Sequence, residues 1–213
     1  MKYFDQKYLA SLDRLYRVNL VNSSSGYKSA NLVATLSEEG VSNVAVFSSV
    51  IHLGSSPPLL GLVIRPTTIP RNTYENIKKS GCYTINHVHE DIIEDAHHCS
   101  AKYDVSISEF SMTDLEEAYD HVCQAPFVKG SPVQLHMEFR EEHHLEVNGT
   151  ILIIGEIMGM YVQEKLLKDD GFINLSEGKI TTINGADGYA IPKLKTRLPY
   201  QRPKKSNLNI DTC

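Results

Sequence analysis

The sequence predicts a mainly β protein with appended helices, its strands arranged as a closed or partly closed antiparallel barrel. Three observations lead there. Candidate strands follow one another through short turn signals rather than regular helical crossovers. From Val133 onward apolar and polar residues alternate strictly, and Asn148-Gly149 marks a tight hairpin between two long runs.

In chain order, "SANLVATLS" reads as a strand, "EEG" as a turn and "SNVAVFSSVI" as the returning strand, a hairpin over residues 30–51. "PLLGLVI" is a continuous apolar run of strand length, and "RPTTIP" then stops ladder pairing with two prolines. "RNTYENIKKSG" is punctuated as a helix. Asn72 or Thr73 would cap it, Glu75 suits its positive end, Lys78 and Lys79 its last turn, and Gly81 its left-handed stop. It feeds a strand, "CYTINHV". Two further helical pieces are expected at "EDIIEDAHHCSAKY" and "TDLEEAYDH". In the last strands, Val133, Leu135, Met137 and Phe139 face one way and Gln134, His136, Glu138 and Arg140 the other, with "GTILIIGEIMGMYV" as the partner. One domain over residues 1–213 is expected, with a C-terminal arm from about residue 185.

Composition narrows the function. The chain of 213 residues is 41% hydrophobic and 22% charged, with a formal net charge of −5, so no basic field invites nucleic acid. The dense basic stretch "KLKTRLPYQRPKK" reads as a solvated arm. No run approaches the roughly 20 apolar residues of a membrane-spanning helix, and the N-terminus lacks a signal-peptide pattern. A cytoplasmic protein without a membrane partner is expected. The cysteines Cys82, Cys99, Cys123 and Cys213 are widely spaced without a C-x-x-C pair, which suggests reduced thiols. The histidines of "NHVHEDIIEDAHHCS" and "REEHHLEV" match no tight metal-ligand spacing, so no metal site is assigned.

Chemistry-bearing motifs are as informative by their absence. Neither G-x-G-x-x-G nor a P-loop nor a G-x-S-x-G elbow occurs. Instead "NVAVFSSV" lines up an amide, two hydroxyls and a small residue at Ala45 on one strand. Arg71 and Thr73 stand at a helix N-terminus, where unpaired N–H groups, the macrodipole and a guanidinium favour an anion. Arg65 adds a second charge. A planar heterocycle with a phosphate tail suits such a surface.

The succession "NLVATLSEEGVSNVAVFSSV", "PPLLGLVIRP" and "PRNTYENIKKSGCYTIN" closely resembles the flavin reductase-like family, over about residues 15–110. That family comprises FMN-binding split-barrel proteins, among them flavoredoxins and the reductase components of two-component monooxygenases. The resemblance implies a Greek-key split barrel forming a homodimer, with FMN near the subunit interface. By position, Asn43, Ala45, Phe47, Ser48 and Ser49 would line the ring and ribityl chain, and Arg65, Arg71 and Thr73 would hold the phosphate. Ser100 and Lys102 would approach the ring or its rim, and Tyr189 and Tyr200 would cover the site from the tail. The implied activity is NAD(P)H-dependent reduction of FMN, with NADH or NADPH as a transient donor and a flavin or another molecule as electron acceptor. The alternative is a flavoredoxin-like carrier without its own NAD(P)H turnover. The chemistry would reside on flavin N5, so no catalytic side chain is assigned.

Overall fold

The computed structural model of the chain describes residues 1–203. Two helices open it, α1 (Gln6–Ser11) and α2 (Arg14–Ser24), and the sequence offered no reading of either. Each begins at an aspartate whose carboxylate accepts from first-turn amides: Asp5 from Tyr8 N, and Asp13 from Leu15 N and Tyr16 N. No residue of either helix is buried.

The strands then follow: β1 (Lys28–Ser29), β2 (Asn31–Leu36), β3 (Ser42–Phe47), β4 (Val50–Ser55) and β5 (Pro58–Ile64). After α3 (Asn72–Ser80) come β6 (Cys82–His87), α4 (Ile93–His98), β7 (Glu117–Asp120) and β8 (Cys123–Val128). The long pair β9 (Val133–Leu145) and β10 (Thr150–Val162) precedes the short β11 (Thr182–Asn184) and β12 (Gly188–Ala190). Residues 191–203 carry no helix or strand.

Seven strands form one antiparallel sheet in the order β3-β2-β6-β9-β10-β5-β4. Its two edge strands, β3 and β4, are consecutive in the chain and separated only by Ser48 and Ser49. A flat sheet of seven strands spaced about 4.8 Å apart would hold those edges tens of ångströms from each other. Two residues cannot bridge that, so the sheet curls until its edges meet at one end, the geometry of a partly closed barrel. The expected single strand "SNVAVFSSVI" is therefore two strands, broken where the chain crosses from one edge to the other.

The predicted alternation of β9 holds where it packs: Val133, Leu135 and Met137 are buried while Gln134, His136 and Glu138 are half-buried. With Val33, Leu62, Ile64, Ile77, Tyr83, Ile85, Ile151 and Ile153 they fill the barrel. A second core, containing Leu32, Ala34, Val44, Val88, Ala96, Phe110, Val128 and Ile183, lies on the other face of β2 and β3. Because both its faces are covered, β2 is buried from Asn31 to Thr35, which explains its unbroken apolar run.

Three expectations are corrected. "TDLEEAYDH" is not a helix; Glu117–Asp120 form β7, paired antiparallel with β8. The polar edge of β8 needs a ladder partner, and tertiary pairing overrides a weak local helical preference. The helix expected from Glu90 to Tyr103 is shorter, a 3-10 turn over Glu90–Ile92 continuing into α4. The cysteines are not all reduced: Cys82 is bonded to Cys123, while Cys99 is a free, buried thiol. Cys213 lies outside the described residues.

Candidate functional site

Where the sheet edges meet, a cleft of about 810 Å³ opens, a volume suited to a drug-sized or cofactor-sized molecule. Its wall along β3 and the crossover presents Asn43, Ala45, Phe47, Ser48 and Ser49. The crossover is fixed to β5 in both directions, since Ser49 Oγ donates to Val63 O at 2.9 Å and Val63 N donates to Ser49 O at 3.3 Å. Arg65, just beyond β5, and Arg71, Asn72 and Thr73 at the start of α3 form the next side. Ser100 and Lys102, in the turn after α4, close the rim.

The N-terminus of α3 departs from its expected capping. Arg71, not Asn72 or Thr73, is the N-cap residue, and no side chain caps the helix. The Thr73 hydroxyl is instead engaged by Asn43, whose Nδ2 donates to Thr73 Oγ1 at 3.1 Å. First-turn amides thus face the cleft without a side-chain acceptor, beside a guanidinium whose Nε donates to Pro66 O at 3.3 Å. Partial positive charge from the helix end, together with Arg71 and Arg65, makes this end of the cleft suited to a phosphate.

The cleft wall along β3 is anchored by a buried carboxyl group. Glu109, buried at 6% exposure, accepts at Oε2 from Val44 N at 3.0 Å and so occupies the outward edge of β3. Burial holds its carboxyl above the usual carboxylate range, only partly offset by that backbone hydrogen bond. Burial likewise pushes the Cys99 thiol up to about 12 and the Tyr189 phenol up to about 12, so both are neutral in the cleft wall.

The residues expected to line the ring and ribityl chain, to hold the phosphate or to approach the rim all border one cleft. Of the two tail tyrosines, Tyr189 borders it too, whereas Tyr200 is 92% exposed and does not border the cleft. Sequence reading missed Glu109, Lys28 and Asn22. Nothing local marks them, because they arrive from a 3-10 turn, from β1 and from the end of α2.

Among the described residues no histidine borders the cleft. The residues present fit a flat, phosphate-bearing group: small and hydroxylic side chains along one strand, and an uncapped helix end flanked by cations.

Known proteins agree with this geometry. A structure described as a candidate flavin reductase with a split barrel domain, from Shewanella frigidimarina, is 43% identical with a TM-score of 0.91, covering 94% of this chain and 100% of that one. Nitrilotriacetate monooxygenase component B from Bacillus cereus is 19% identical with a TM-score of 0.80, covering 93% of this chain and 98% of its own. An FMN-binding protein from Thermus thermophilus, solved with 1-cyclohex-2-enone, is 19% identical with a TM-score of 0.70 over 83% of this chain and 93% of that one. These last two speak for the fold. The family profile described as flavin reductase like domain matches residues 25–178, which include all seven strands of the barrel and most of the cleft lining, and the chain belongs to that family.

Proposed function

We propose that this protein binds FMN in the cleft and transfers electrons from NADH or NADPH to a flavin or another acceptor. The observation that carries the reading is the meeting of two features in one cavity. One is the hydroxyl-lined crossover of β3 and β4; the other is the uncapped N-terminus of α3 beside Arg71.

In this reading Arg71, Arg65 and the α3 amides hold the phosphate, with Lys102 at the rim. Ala45 leaves room for a ring to approach the strand, and the β3 and crossover hydroxyls and Asn43 orient its polar edge. Bound FMN supplies hydride acceptance and one- or two-electron release. The protein supplies position, neutral walls at Cys99 and Tyr189, and cations that favour the reduced, more negative cofactor. No dinucleotide fold is required, because the nicotinamide is a visiting substrate.

Two finer points belong to the same proposal. Among the described residues no helix is long and apolar enough to cross a membrane, and the site suits a cytoplasmic protein supplied with nicotinamides. The barrel pairs with a second copy through the face that carries α2, whose Leu15, Val18 and Val21 are exposed and whose Asn22 borders the cleft.

The test is a visible spectrum of the protein with stoichiometric FMN, repeated anaerobically after each nicotinamide. A shifted flavin spectrum bleached by NADH or NADPH is the expected result. No shift with FMN overturns the binding site, and a shift without bleaching by either donor reduces the protein to an electron carrier.

A further inference from the structure

A second group of chemistry-bearing side chains lies on the outer face of the barrel, and none of them borders the cleft. β6 and β9 are neighbours, with Cys82 opposite Glu138 and Thr84 opposite His136. Cys82 and His136 are therefore diagonal neighbours on one face of the sheet. β8 is laid over that face by three polar tethers. Thr84 Oγ1 donates to Pro126 O at 2.7 Å, Val128 N donates to Asn86 Oδ1 at 3.0 Å, and Gln134 Nε2 donates to Val128 O at 2.6 Å. They bring Cys123, at the start of β8, against Cys82.

One ligand atom from each of Cys82, Cys123 and His136 lies within 4.8 Å of the others. We propose that, when its disulfide is reduced, this cluster binds one zinc-like divalent cation. Two thiolates and an imidazole are the ligand set such ions prefer, at bond lengths of about 2.0–2.3 Å that a cluster of this size accommodates with small side-chain shifts. The tethers of Thr84, Asn86 and Gln134 do not depend on the sulfur–sulfur bond, so they keep the three ligands assembled after it opens. Cys82 and His136 are half-buried, which leaves a fourth coordination position to water.

The chemistry balances with a named reductant. A phosphine attacks one sulfur, the sulfur–sulfur bond breaks, and water converts the phosphonium to phosphine oxide, leaving two thiols. Cation binding then releases two protons as both thiols become thiolates. Disulfide and ion are mutually exclusive, and each ties the β7–β8 hairpin to β6. The cluster escaped the sequence reading because its ligands come from three strands with no recurrent spacing.

The experiment uses the full chain, reduced with a water-soluble phosphine, desalted anaerobically and titrated with Co²⁺ and then Zn²⁺. One Co²⁺ per chain with sulfur-to-metal charge-transfer absorption, displaced by Zn²⁺, is expected, and the oxidised protein should show none. A variant with Cys99→Ser and Cys213→Ser keeps the signal. His136→Ala, which spares both sulfurs and is a half-buried surface change, should weaken Co²⁺ binding about 10-fold or more. Cys123→Ser should abolish the charge-transfer band, with circular dichroism reporting its fold. A reduced protein without thiolate bands, bands that persist in Cys123→Ser, or unchanged affinity in His136→Ala overturns the assignment.

Discussion

Arg71 shows how one residue's surroundings decide its role. On a helix surface it would be a solvated cation; here it is the N-cap of a helix without side-chain capping, and its one side-chain hydrogen bond, from Nε to Pro66 O, leaves its terminal nitrogens available. Arg71→Ala should weaken FMN binding by about 1–3 kcal/mol, the cost of losing a charge-assisted hydrogen bond, as read by flavin fluorescence titration. His87 offers a test of proton linkage. Its Nδ1 is sealed from solvent without a partner, and burial pulls its pKa down to about 4 from 6.5. The folded state therefore keeps His87 neutral while the unfolded chain takes up a proton first. Its contribution is intact above pH 6.5 and is lost as pH falls toward 4, by up to about 3 kcal/mol at 1.36 kcal/mol per unit. Urea midpoints across that window should fall less steeply for His87→Gln than for the parent.

Among the elements, β10 illustrates a fit that no local pattern announces. Its register against β9 shifts between Ile154 and Gly155, and a Cβ at Gly155 would collide with the Tyr83 hydroxyl inside the barrel. That ring is fully buried, so close packing keeps it from moving aside freely, and its hydroxyl has no hydrogen-bond partner to lose. Gly155→Ala should cost about 1–3 kcal/mol by overpacking. Tyr83→Phe should cost little alone and restore part of that loss in the double variant, giving a coupling of about 0.5–3 kcal/mol in a double-mutant cycle. α3 makes the complementary point. Gly81 at φ 70° ends it as its sequence dictates, while its start is left open where a conventional cap would have filled the cleft.

For the whole molecule, the decisive fact is that β3 and β4, adjacent in sequence, are opposite edges of a seven-stranded sheet. Closure at that seam creates the cleft. Lengthening the crossover by two glycines between Ser48 and Ser49 should therefore weaken FMN affinity by at least about 10-fold while leaving thermal stability within a few degrees, since loop-length entropy grows slowly. A comparable loss of both would argue that the seam supports the fold rather than the site. The exposed stripe of α2 carries a second expectation: Leu15→Asp with Val18→Asp should shift sedimentation from dimer to monomer. An unchanged sedimentation coefficient would remove that face from the interface.

The sequence by itself determined the mainly β class, the β9–β10 hairpin, the stop of α3 at Gly81 and the polar character of β3 and its crossover. These rest on short-range physics: period-two alternation, glycine's access to positive φ, and polar residues placed where a buried strand does not want them. It could not place β7, because a four-residue strand exists only through its partner β8. Nor could it join Cys82 to Cys123, bury Glu109 under β3 or set His136 beside two sulfurs, since those meetings depend on a sheet curling shut. Tertiary structure decided them because proximity across strands is set by the register and closure of the barrel, and neither leaves a periodic mark on the chain.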